Sequence, residues 1–325
     1  MTKAIRIHTT GGPEQMKWED NNAGSPGPGE VRLRQTAVGL NYIDVYYRTG
    51  LYKAPALPFT PGLEGAGVVE AVGDGVTDLQ VGSRVAYAGG PLGAYAESRL
   101  MPADRLVVIP ESIDDRQAAA MMLQGMTVQY LLRRTYKVQP GDTILFHAAA
   151  GGVGLIACQW AKALGATVIG TVGSEEKAAI AKAHGCDHTI LYKTEDIAKR
   201  VREITGGAGV PVVYDSVGKD TLTASLDSLR PMGMLVSFGN ASGPVTSFDT
   251  GLLSAKGSLY LTRPTLFTYT AKRDDLLSAA RDLFDVVQQG KVKIVVNQTY
   301  PLKDAPQAHR DLEGRKTTGS TVFSV

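Results

Sequence analysis

The chain has 325 residues, enough for about two domains at the usual ~150 residues each. Its 43% hydrophobic and 20% charged residues are ordinary for a protein that buries a core. Lys plus Arg exceeds Asp plus Glu by only 34 − 32 = 2, so the charge balance does not favour nucleic acid or an anionic membrane surface as a partner. The N-terminus reads as a strand rather than a signal peptide, and the longest apolar stretch, near 153–164, is too short to cross a bilayer. We therefore expect a cytoplasmic protein.

The first part of the chain is rich in short strands and turns. Two-residue alternation of apolar and polar side chains predicts strands at 3–7, 30–35, 65–73 and 83–87, with glycine turns between them. A polar and aromatic helix is predicted at 41–48, and two further helices at 116–122 and 127–135. The pattern indicates a small β-barrel or sandwich.

The middle of the chain alternates regularly between strands and helices. Strands are predicted at 143–149, 167–172, 188–191, 211–215, 233–238 and 257–261, and helices at 152–164, 174–184, 194–204 and 219–229. This alternation is typical of a parallel sheet with helices on both faces. The fold class is therefore α/β, with a doubly wound, six-stranded Rossmann sheet and a separate β-rich domain.

The last part of the chain does not continue this alternation. We predict a helix at 272–289, a strand at 292–299, a helix at 303–313 and a strand at 320–323. These elements are expected to return to the strand-rich domain, which would then comprise residues 1–125 and 263–325. The Rossmann domain would span residues 126–262, and a cleft would separate the two domains.

A glycine-rich turn follows the first strand of the alternating region. Gly151, Gly152 and Gly154 permit a tight turn and a close approach of helix to strand, and the helix begins near Val153. The N–H groups of its first turn carry the positive end of the helix dipole. In this βα context the turn predicts a site for the pyrophosphate of a dinucleotide, although a glycine-rich corner without a ligand has the same local pattern.

The end of the second Rossmann strand indicates which dinucleotide is bound. An NAD site usually carries Asp or Glu there to bind the ribose hydroxyls, whereas this strand ends in Gly173-Ser174. Gly173 leaves room for a phosphate, Ser174 can donate a hydrogen bond to it, and Lys177 and Tyr192 follow nearby. We therefore predict NADPH rather than NADH, with the alternatives that Lys177 is a solvated helix lysine and that Tyr192 only packs.

Five motifs carry a resemblance to a known family. They are Gly39-Leu40-Asn41-Tyr42-Ile43-Asp44, Pro61-Gly62-Leu63-Glu64-Gly65-Ala66-Gly67, His147-Ala148-Ala149-Ala150-Gly151-Gly152-Val153-Gly154, Val213-Tyr214-Asp215-Ser216-Val217-Gly218 and Val236-Ser237-Phe238-Gly239-Asn240. The chain resembles the zinc-free quinone oxidoreductases, the family of ζ-crystallin, within the medium-chain dehydrogenase/reductase superfamily. The resemblance implies a GroES-like catalytic domain, a Rossmann domain that binds NADPH, and a homodimer joined through the Rossmann sheets.

The same resemblance implies that no metal is bound. Alcohol dehydrogenases of the superfamily hold zinc with a Cys where this chain has Asn41 and a His where it has Leu63. Leu63 cannot bind a metal, Asn41 is a poor zinc ligand, and Cys158 and Cys186 have no Cys or His partner at metal-ligand spacing. Without a Lewis acid, an acceptor that is already electrophilic is favoured over an alcohol.

The family pattern also assigns the reacting site. It places Asn41 near the nicotinamide and Tyr46 and Tyr52 against the substrate, and Tyr52 matches a tyrosine regarded as a proton donor in related enoyl-thioester reductases. Arg263 is a weaker substrate-binding candidate that could instead form an interdomain ion pair, and the two tyrosines could simply pack under a loop. The remaining predicted cofactor contacts are Thr127, Ser216, Phe238, Gly239, Asn240 and, with Lys177 and Tyr192 at the 2′-phosphate, Arg315.

Two further residues have open roles. Asp44 fits helix capping as well as catalysis, and His147 is expected to be structural because no Ser or Cys nucleophile stands at a visible spacing from it.

Three functions fit the sequence. The first is NADPH-dependent reduction of quinones by hydride transfer in the cleft. The second is reduction of α,β-unsaturated carbonyls or enoyl thioesters, which Tyr52 supports. The third is a non-enzymatic NADPH-binding role of the crystallin kind. Nucleic-acid binding is disfavoured because the sequence has no basic stripe.

Overall fold

The computed structural model describes residues 2–325 and separates into two compact units. The first unit comprises Met1–Met126, Tyr269–Gln288 and Ile294–Val325, and the second comprises Thr127–Thr268 and Gln289–Lys293. Residues 263–268 and 289–293, which the sequence assigned to the strand-rich domain, thus lie in the second unit. Gln159 explains the second of these segments, because its side-chain amide accepts from the backbone N–H of Lys293 at 2.9 Å and donates to the same residue's carbonyl at 3.1 Å.

In chain order the strands are β1 (Thr2–Ile7), β2 (Met16–Asn21), β3 (Glu30–Leu40), β4 (Glu64–Val72), β5 (Arg84–Ala88), β6 (Ser98–Pro102), β7 (Val107–Val108), β8 (Thr143–Phe146), β9 (Thr167–Val172), β10 (His188–Leu191), β11 (Val210–Asp215), β12 (Leu229–Ser237), β13 (Tyr260–Thr262), β14 (Val296–Pro301) and β15 (Ser320–Ser324). The α-helices are α1 (Tyr42–Thr49), α2 (Asp115–Ala119), α3 (Met122–Tyr130), α4 (Gly152–Ala163), α5 (Glu175–Ala183), α6 (Ile197–Ile204), α7 (Leu222–Ser228), α8 (Gly251–Ala255), α9 (Leu266–Tyr269), α10 (Arg273–Gln288) and α11 (Ala305–Glu313).

The first unit is built on a seven-stranded sheet in which the order is β14-β15-β3-β4-β5-β7 and β6 pairs with β3. Strand β3 is the centre of this sheet, because its first half pairs with β6 and its second half pairs with β15. Its pairing with β4 has two register shifts, which place one extra residue on β4 (Glu70) and one on β3 (Thr36). The bulge at Thr36 lies between the part of β3 that pairs with β6 and the part that pairs with β15. The carboxyl end of β3, at Leu40, is followed almost immediately by α1, which begins at Tyr42.

Apolar side chains from β1, β3, β4, β5, β15 and α11 fill the core of the first unit. Val31 and Leu33 are two positions apart on β3 and are fully buried, as the two-residue period of a strand requires. Val38 is buried in the same cluster because the register shift between Gln35 and Ala37 changes the phase of the strand. Ile5 and Phe323 close the same cluster from β1 and β15.

The second unit contains a six-stranded parallel sheet in the order β10-β9-β8-β11-β12-β13. Numbered from its own first strand this order is 3-2-1-4-5-6, the doubly wound arrangement that binds dinucleotides where the strand order reverses. The reversal lies between β8 and β11. The predicted fold class, a Rossmann sheet with a separate β-rich domain, is confirmed.

Several predicted boundaries are wrong for local reasons. The strand predicted at 143–149 ends at Phe146, because Ala148 adopts a left-handed conformation with a φ of 56°. The helix predicted at 127–135 is instead the end of α3 followed by a π-helical turn, Leu131–Thr135. Strand β14 begins at Val296 rather than 292, and β2, β6, β7, α8 and α9 were not predicted.

Among the described residues 2–325, no helix is both long and apolar enough to cross a membrane.

Candidate active site

Most of the predicted site residues of the second unit follow the carboxyl ends of the strands of its sheet. Because all six strands are parallel, their carboxyl ends share one edge, and the dinucleotide of such a fold binds there. The predicted residues follow the strands in turn: Gly151, Gly152 and Val153 after β8, Gly173, Ser174 and Lys177 after β9, Tyr192 after β10, Ser216 after β11, Phe238, Gly239 and Asn240 after β12, and Arg263 after β13.

The first turn of α4 has the features of a phosphate site. Its N-cap is Gly151, which offers no side-chain hydrogen bond, so the chain does not cap these N–H groups through a side chain. By contrast, Ser174 and Asp196 cap the next two helices of the sheet. Gly154 is required for the close approach, because a Cβ at this position would lie 2.6 Å from the carbonyl oxygen of Ala149 and still closer to that of Ala148.

The end of β9 forms a second corner of the site. Ser174 caps α5, its hydroxyl accepting from the Lys177 N–H at 3.3 Å, and the hydroxyl hydrogen can still be donated elsewhere. The phenol of Tyr192 stands over Gly173, because a Cβ on Gly173 would be 2.8 Å from the Tyr192 hydroxyl. Ser174, Lys177 and Tyr192 therefore lie near one glycine, whereas Arg315, the fourth side chain predicted at the 2′-phosphate, belongs to the first unit.

The residues that follow β11, β12 and β13 contact one another through close packing and hydrogen bonds. A Cβ on Gly239 would lie 2.8 Å from the Ser216 Cα, so only glycine fits there. Phe238 packs on Phe146 with ring centroids 5.8 Å apart. Arg263 donates to the Ser237 carbonyl at 3.1 Å, and in its hydrogen-bonded orientation the Asn240 amide oxygen lies 3.2 Å from the same guanidinium.

His147 is held inside the second unit. It is fully buried, with one ring nitrogen 3.0 Å from the Thr171 hydroxyl and the other 3.0 Å from the Ser225 hydroxyl, which itself donates to Asp215 at 2.7 Å. Burial lowers the pKa of His147, which keeps the ring neutral. Ser225, 78 positions away along the sequence, is its hydrogen-bond partner and is itself fully buried, which agrees with the structural role expected for His147.

Tyrosines gather around α1 in the first unit. Tyr42 and Tyr46 are one helical turn apart with ring centroids at 5.8 Å. Gly50 ends the helix with a left-handed φ of 85°, and the chain turns back so that the Tyr52 N–H donates to the Tyr46 carbonyl at 3.0 Å. Tyr46 and Tyr52 then pack edge to face at 5.1 Å, with Tyr47 at 5.8 Å from Tyr52. Both predicted substrate tyrosines therefore belong to one aromatic cluster.

Asn41, at the start of α1, has its amide fixed from two sides. Its Nδ2 donates to Glu64 Oε2 at 2.6 Å and its Oδ1 accepts from Gln124 at 3.2 Å. Glu64 also accepts from the Leu123 N–H at 2.7 Å. Burial raises the pKa of Glu64 to about 8, although these two hydrogen bonds oppose the rise.

Asp44 lies one turn into α1 and is fully buried. It accepts from the Asn41 backbone N–H at 2.9 Å, which is a helix-capping role, and from the Tyr95 hydroxyl at 3.0 Å. Burial raises the pKa of Asp44 to about 7. His309 lies 3.0 Å from the same hydroxyl, and burial, with the charge of Arg48 adding to it, lowers the pKa of His309 to about 3.

Five residues of this region were not predicted from the sequence: Glu64, Gln124, Tyr95, His309 and Ser320. Only Glu64 gave a signal, since a carboxylate inside the apolar run that leads into β4 is unusual for a strand. The others are 51 or more positions from the side chains they contact, so no local pattern could have linked them.

The remaining predicted residues are located as follows. Thr127 is buried in α3, and Arg315 follows α11 in the first unit with a left-handed φ of 58°. Leu63 is buried beside Glu64. Within residues 2–325, no three His, Cys, Asp or Glu side chains are grouped closely enough to hold a metal ion.

A doubly wound nucleotide-binding sheet combined with a strand-rich unit is an arrangement used by two-domain dehydrogenases and reductases. Comparisons with known proteins agree with that class. Residues 27–111 match the alcohol dehydrogenase GroES-like domain, and residues 152–281 match the zinc-binding dehydrogenase domain.

Full-length relatives narrow the class to a family. The chain is 57% identical to a quinone oxidoreductase of Pseudomonas aeruginosa, with 99% of each chain covered. It is 51% identical to a 2-haloacrylate reductase of a Burkholderia species, again with 99% of each covered. The crystal structure of Escherichia coli quinone oxidoreductase complexed with NADPH superposes with a TM-score of 0.98 at 49% identity, covering 99% of this chain and 100% of that one. The chain belongs to the quinone oxidoreductase family of the medium-chain dehydrogenase/reductase superfamily, and it is an enzyme.

Proposed function

We propose that the chain catalyses the NADPH-dependent, metal-free reduction of quinones. The proposal is supported by the first turn of α4, which has no side-chain cap and packs closely on the preceding strand at Gly154, and by Gly173 at the end of β9. It is supported equally by full-length relatives that include quinone oxidoreductases. Bound NADPH would supply a hydride from the nicotinamide C4. The chain's own residues would bind, orient and shield the two reactants.

The residues of the second unit fit NADPH. The N–H groups of Gly152 and Val153 would bind the pyrophosphate, and Ser174, Lys177 and Tyr192 would bind the 2′-phosphate. Arg315 and Thr127 are proposed to add to the cofactor contacts. The nicotinamide end would be lined by the residues that follow β11 and β12, namely Ser216, Phe238, Gly239 and Asn240. These residues are closely packed, and only glycine fits at position 239.

The residues of the first unit fit a flat, electrophilic acceptor. Tyr46 and Tyr52 offer ring edges and faces for stacking, and Asn41 offers an amide N–H. A quinone needs no dedicated acid, because its reduced form shares charge over the ring and takes protons from water. Positioning would then provide most of the acceleration.

A second candidate activity has a specific observation in its favour. The 2-haloacrylate reductase relative is 51% identical over the whole chain, close to the values for the quinone oxidoreductases. A haloacrylate is an α,β-unsaturated carboxylate, so its reduction places a proton on carbon. Tyr52 is the candidate donor for that proton, and Arg263 is a candidate partner for the substrate carboxylate.

The test is a comparison of acceptors. NADPH and NADH oxidation are followed with p-benzoquinone, an enone, 2-chloroacrylate and an enoyl-CoA. Faster turnover with the quinone and NADPH supports the proposal, whereas faster turnover with 2-chloroacrylate supports the second candidate. Tight NADPH binding without turnover of any acceptor would exclude both reactions.

We also propose that the chain forms a homodimer through the β13 edge of its parallel sheet. Strand β13 has a neighbour on one side only, and Tyr260 and Leu261 are exposed on it. An open edge with apolar side chains favours pairing with another copy. Sedimentation of wild type and Leu261→Lys tests this: the proposal requires a dimer that the lysine weakens.

A further inference from the structure

The buried polar side chains around Asn41 form one continuous hydrogen-bonded chain. Glu64 accepts from Asn41, Asn41 accepts from Gln124, and the Ser320 hydroxyl lies 2.9 Å from Gln124 Oε1. All four side chains are at most 6% exposed. A chain of amides can run in either direction, because each amide has an accepting and a donating end.

Only one member of this chain is able to fix its direction. The Ser320 hydroxyl is also 3.0 Å from the Ala120 carbonyl, so it is satisfied whether it donates to Gln124 or donates to Ala120 and accepts from Gln124. An ionised Glu64, in contrast, can only accept. It already accepts from the backbone N–H of Leu123 at 2.7 Å, which anchors its second oxygen.

The fold reserves space for this carboxylate. A Cβ on Gly39 would overlap Glu64 Oε2 and the carbonyl oxygen of Ala119, so glycine is required opposite Glu64. The carboxylate is therefore held between β3, the start of α1 and the start of α3, in contact with Asn41.

We propose that Glu64 is a positioning residue: its carboxylate fixes the direction of the Glu64–Asn41–Gln124–Ser320 chain and so holds Asn41 with one amide N–H available to the bound reactants. This inference rests on the proposed function, which places Asn41 at the reacting site. An Asn41 amide turned the other way would present its spare N–H toward the opposite side.

The pKa of Glu64 lies in a pH range where a change in the direction of the hydrogen-bonded chain can be measured through kcat/KM. Burial raises the pKa of Glu64 to about 8, and the nearby Asp44 on α1 contributes to the rise. The other titratable groups that face this region are Tyr87 on β5, whose hydroxyl accepts from Arg99 on β6 at 3.3 Å, and Tyr95, and burial raises the pKa of both tyrosines. Protonated Glu64 can donate to Asn41, which permits the reversed chain.

The experiment replaces Glu64 by its neutral isostere. For Glu64→Gln, assayed at pH ~9 where the wild-type carboxylate is ionised, we expect kcat/KM for the acceptor to fall about tenfold while the stability to urea stays equal or rises, because a buried charge has been removed. Glu70→Gln, on the same strand but one-third exposed beside Arg32 and Arg34, is the matched control and should keep wild-type kinetics. Loss of stability in parallel with activity, or wild-type kinetics in Glu64→Gln, would overturn the proposal.

Two further measurements separate positioning from general support. In an Asn41→Leu background, Glu64→Gln should have no additional effect on kcat/KM; an undiminished effect contradicts action through Asn41. In wild type and in Asp44→Asn, kcat/KM should rise with pH around pH ~8, and the rise should be absent from Glu64→Gln. A flat wild-type profile overturns the proposal even if Glu64→Gln does not fold.

The outcome is separable from that of the proposed function. The proposed function is judged by which acceptor the wild type reduces. The role of Glu64 is judged by the ratio of variant to wild type with whichever acceptor is turned over.

Discussion

Replacing Gly154 by alanine tests how closely α4 must approach the strand that precedes it. The added Cβ would lie 2.6 Å from the Ala149 carbonyl oxygen and closer still to that of Ala148, whereas carbon and oxygen normally approach to about 3.3 Å. Both oxygens belong to backbone, so the helix must retreat by somewhat less than ~1 Å. Overpacking of this kind costs about 1–3 kcal/mol, and the helical preference of alanine over glycine returns up to ~1 kcal/mol. We therefore expect a net loss of about 1–2 kcal/mol.

The same retreat should weaken cofactor binding. Moving the first-turn N–H groups away from the pyrophosphate lengthens several hydrogen bonds to charged oxygens, and we expect the Kd for NADPH to rise about tenfold.

Urea unfolding provides the stability measurement. Trp160 lies buried on α4, so its fluorescence in a Trp18→Phe background reports on the second unit. Gly151→Ala is the matched control for stability, because its Cβ would meet only the Ala148 carbonyl oxygen, at 3.3 Å. Unchanged stability and unchanged NADPH affinity in Gly154→Ala would refute the reasoning that close approach of helix and strand builds the phosphate site.

Three other predictions follow from the site. Lys177→Ala should weaken NADPH binding about tenfold to a hundredfold and leave NADH binding nearly unchanged, whereas Lys182→Ala at the other end of α5 should affect the binding of neither. Isothermal titration measures both affinities, and equal losses for the two cofactors would contradict a 2′-phosphate contact. The stability of the first unit should fall as pH rises from about 5 to about 9. Burial raises the pKa of Glu64 to about 8 and that of Asp44 to about 7, so folding favours the protonated form of both carboxyl groups. The loss of stability from Glu64 is at most about 4 kcal/mol, and the urea midpoint of Glu64→Gln should depend less on pH than that of wild type. Tyr52→Phe should lower kcat for 2-chloroacrylate at least tenfold and for p-benzoquinone less than about threefold; equal losses would argue against a proton-donor role.

The fold of the second unit was readable from sequence because its information is local. Each strand and each helix of the βα repeat has its own period, and glycines mark the turns. The differences from the predicted boundaries are small. Strand β8 ends three residues early because Ala148 has a left-handed conformation, which an alanine in the sequence does not predict.

The first unit was less predictable because its strands depend on distant partners. Strand β2, with the sequence Met16-Lys17-Trp18-Glu19-Asp20-Asn21, has only two apolar residues and is a strand because it pairs with β1. Strand β6 likewise depends on its pairing with β3. The tyrosines of the site lie on one short segment and were found, whereas Glu64, Gln124 and Ser320 come from separate parts of the chain and were not.

The position of β15 within the first unit has a consequence for biosynthesis. This strand lies between β14 and β3, inside the sheet rather than at its edge, yet it is translated after the entire six-stranded sheet of the second unit. On the ribosome, β3 and the other early strands must therefore wait for more than half of the protein to emerge before they gain their last neighbour. The nucleotide-binding sheet can assemble first, and the nascent strand-rich segment is the part that needs protection from premature association.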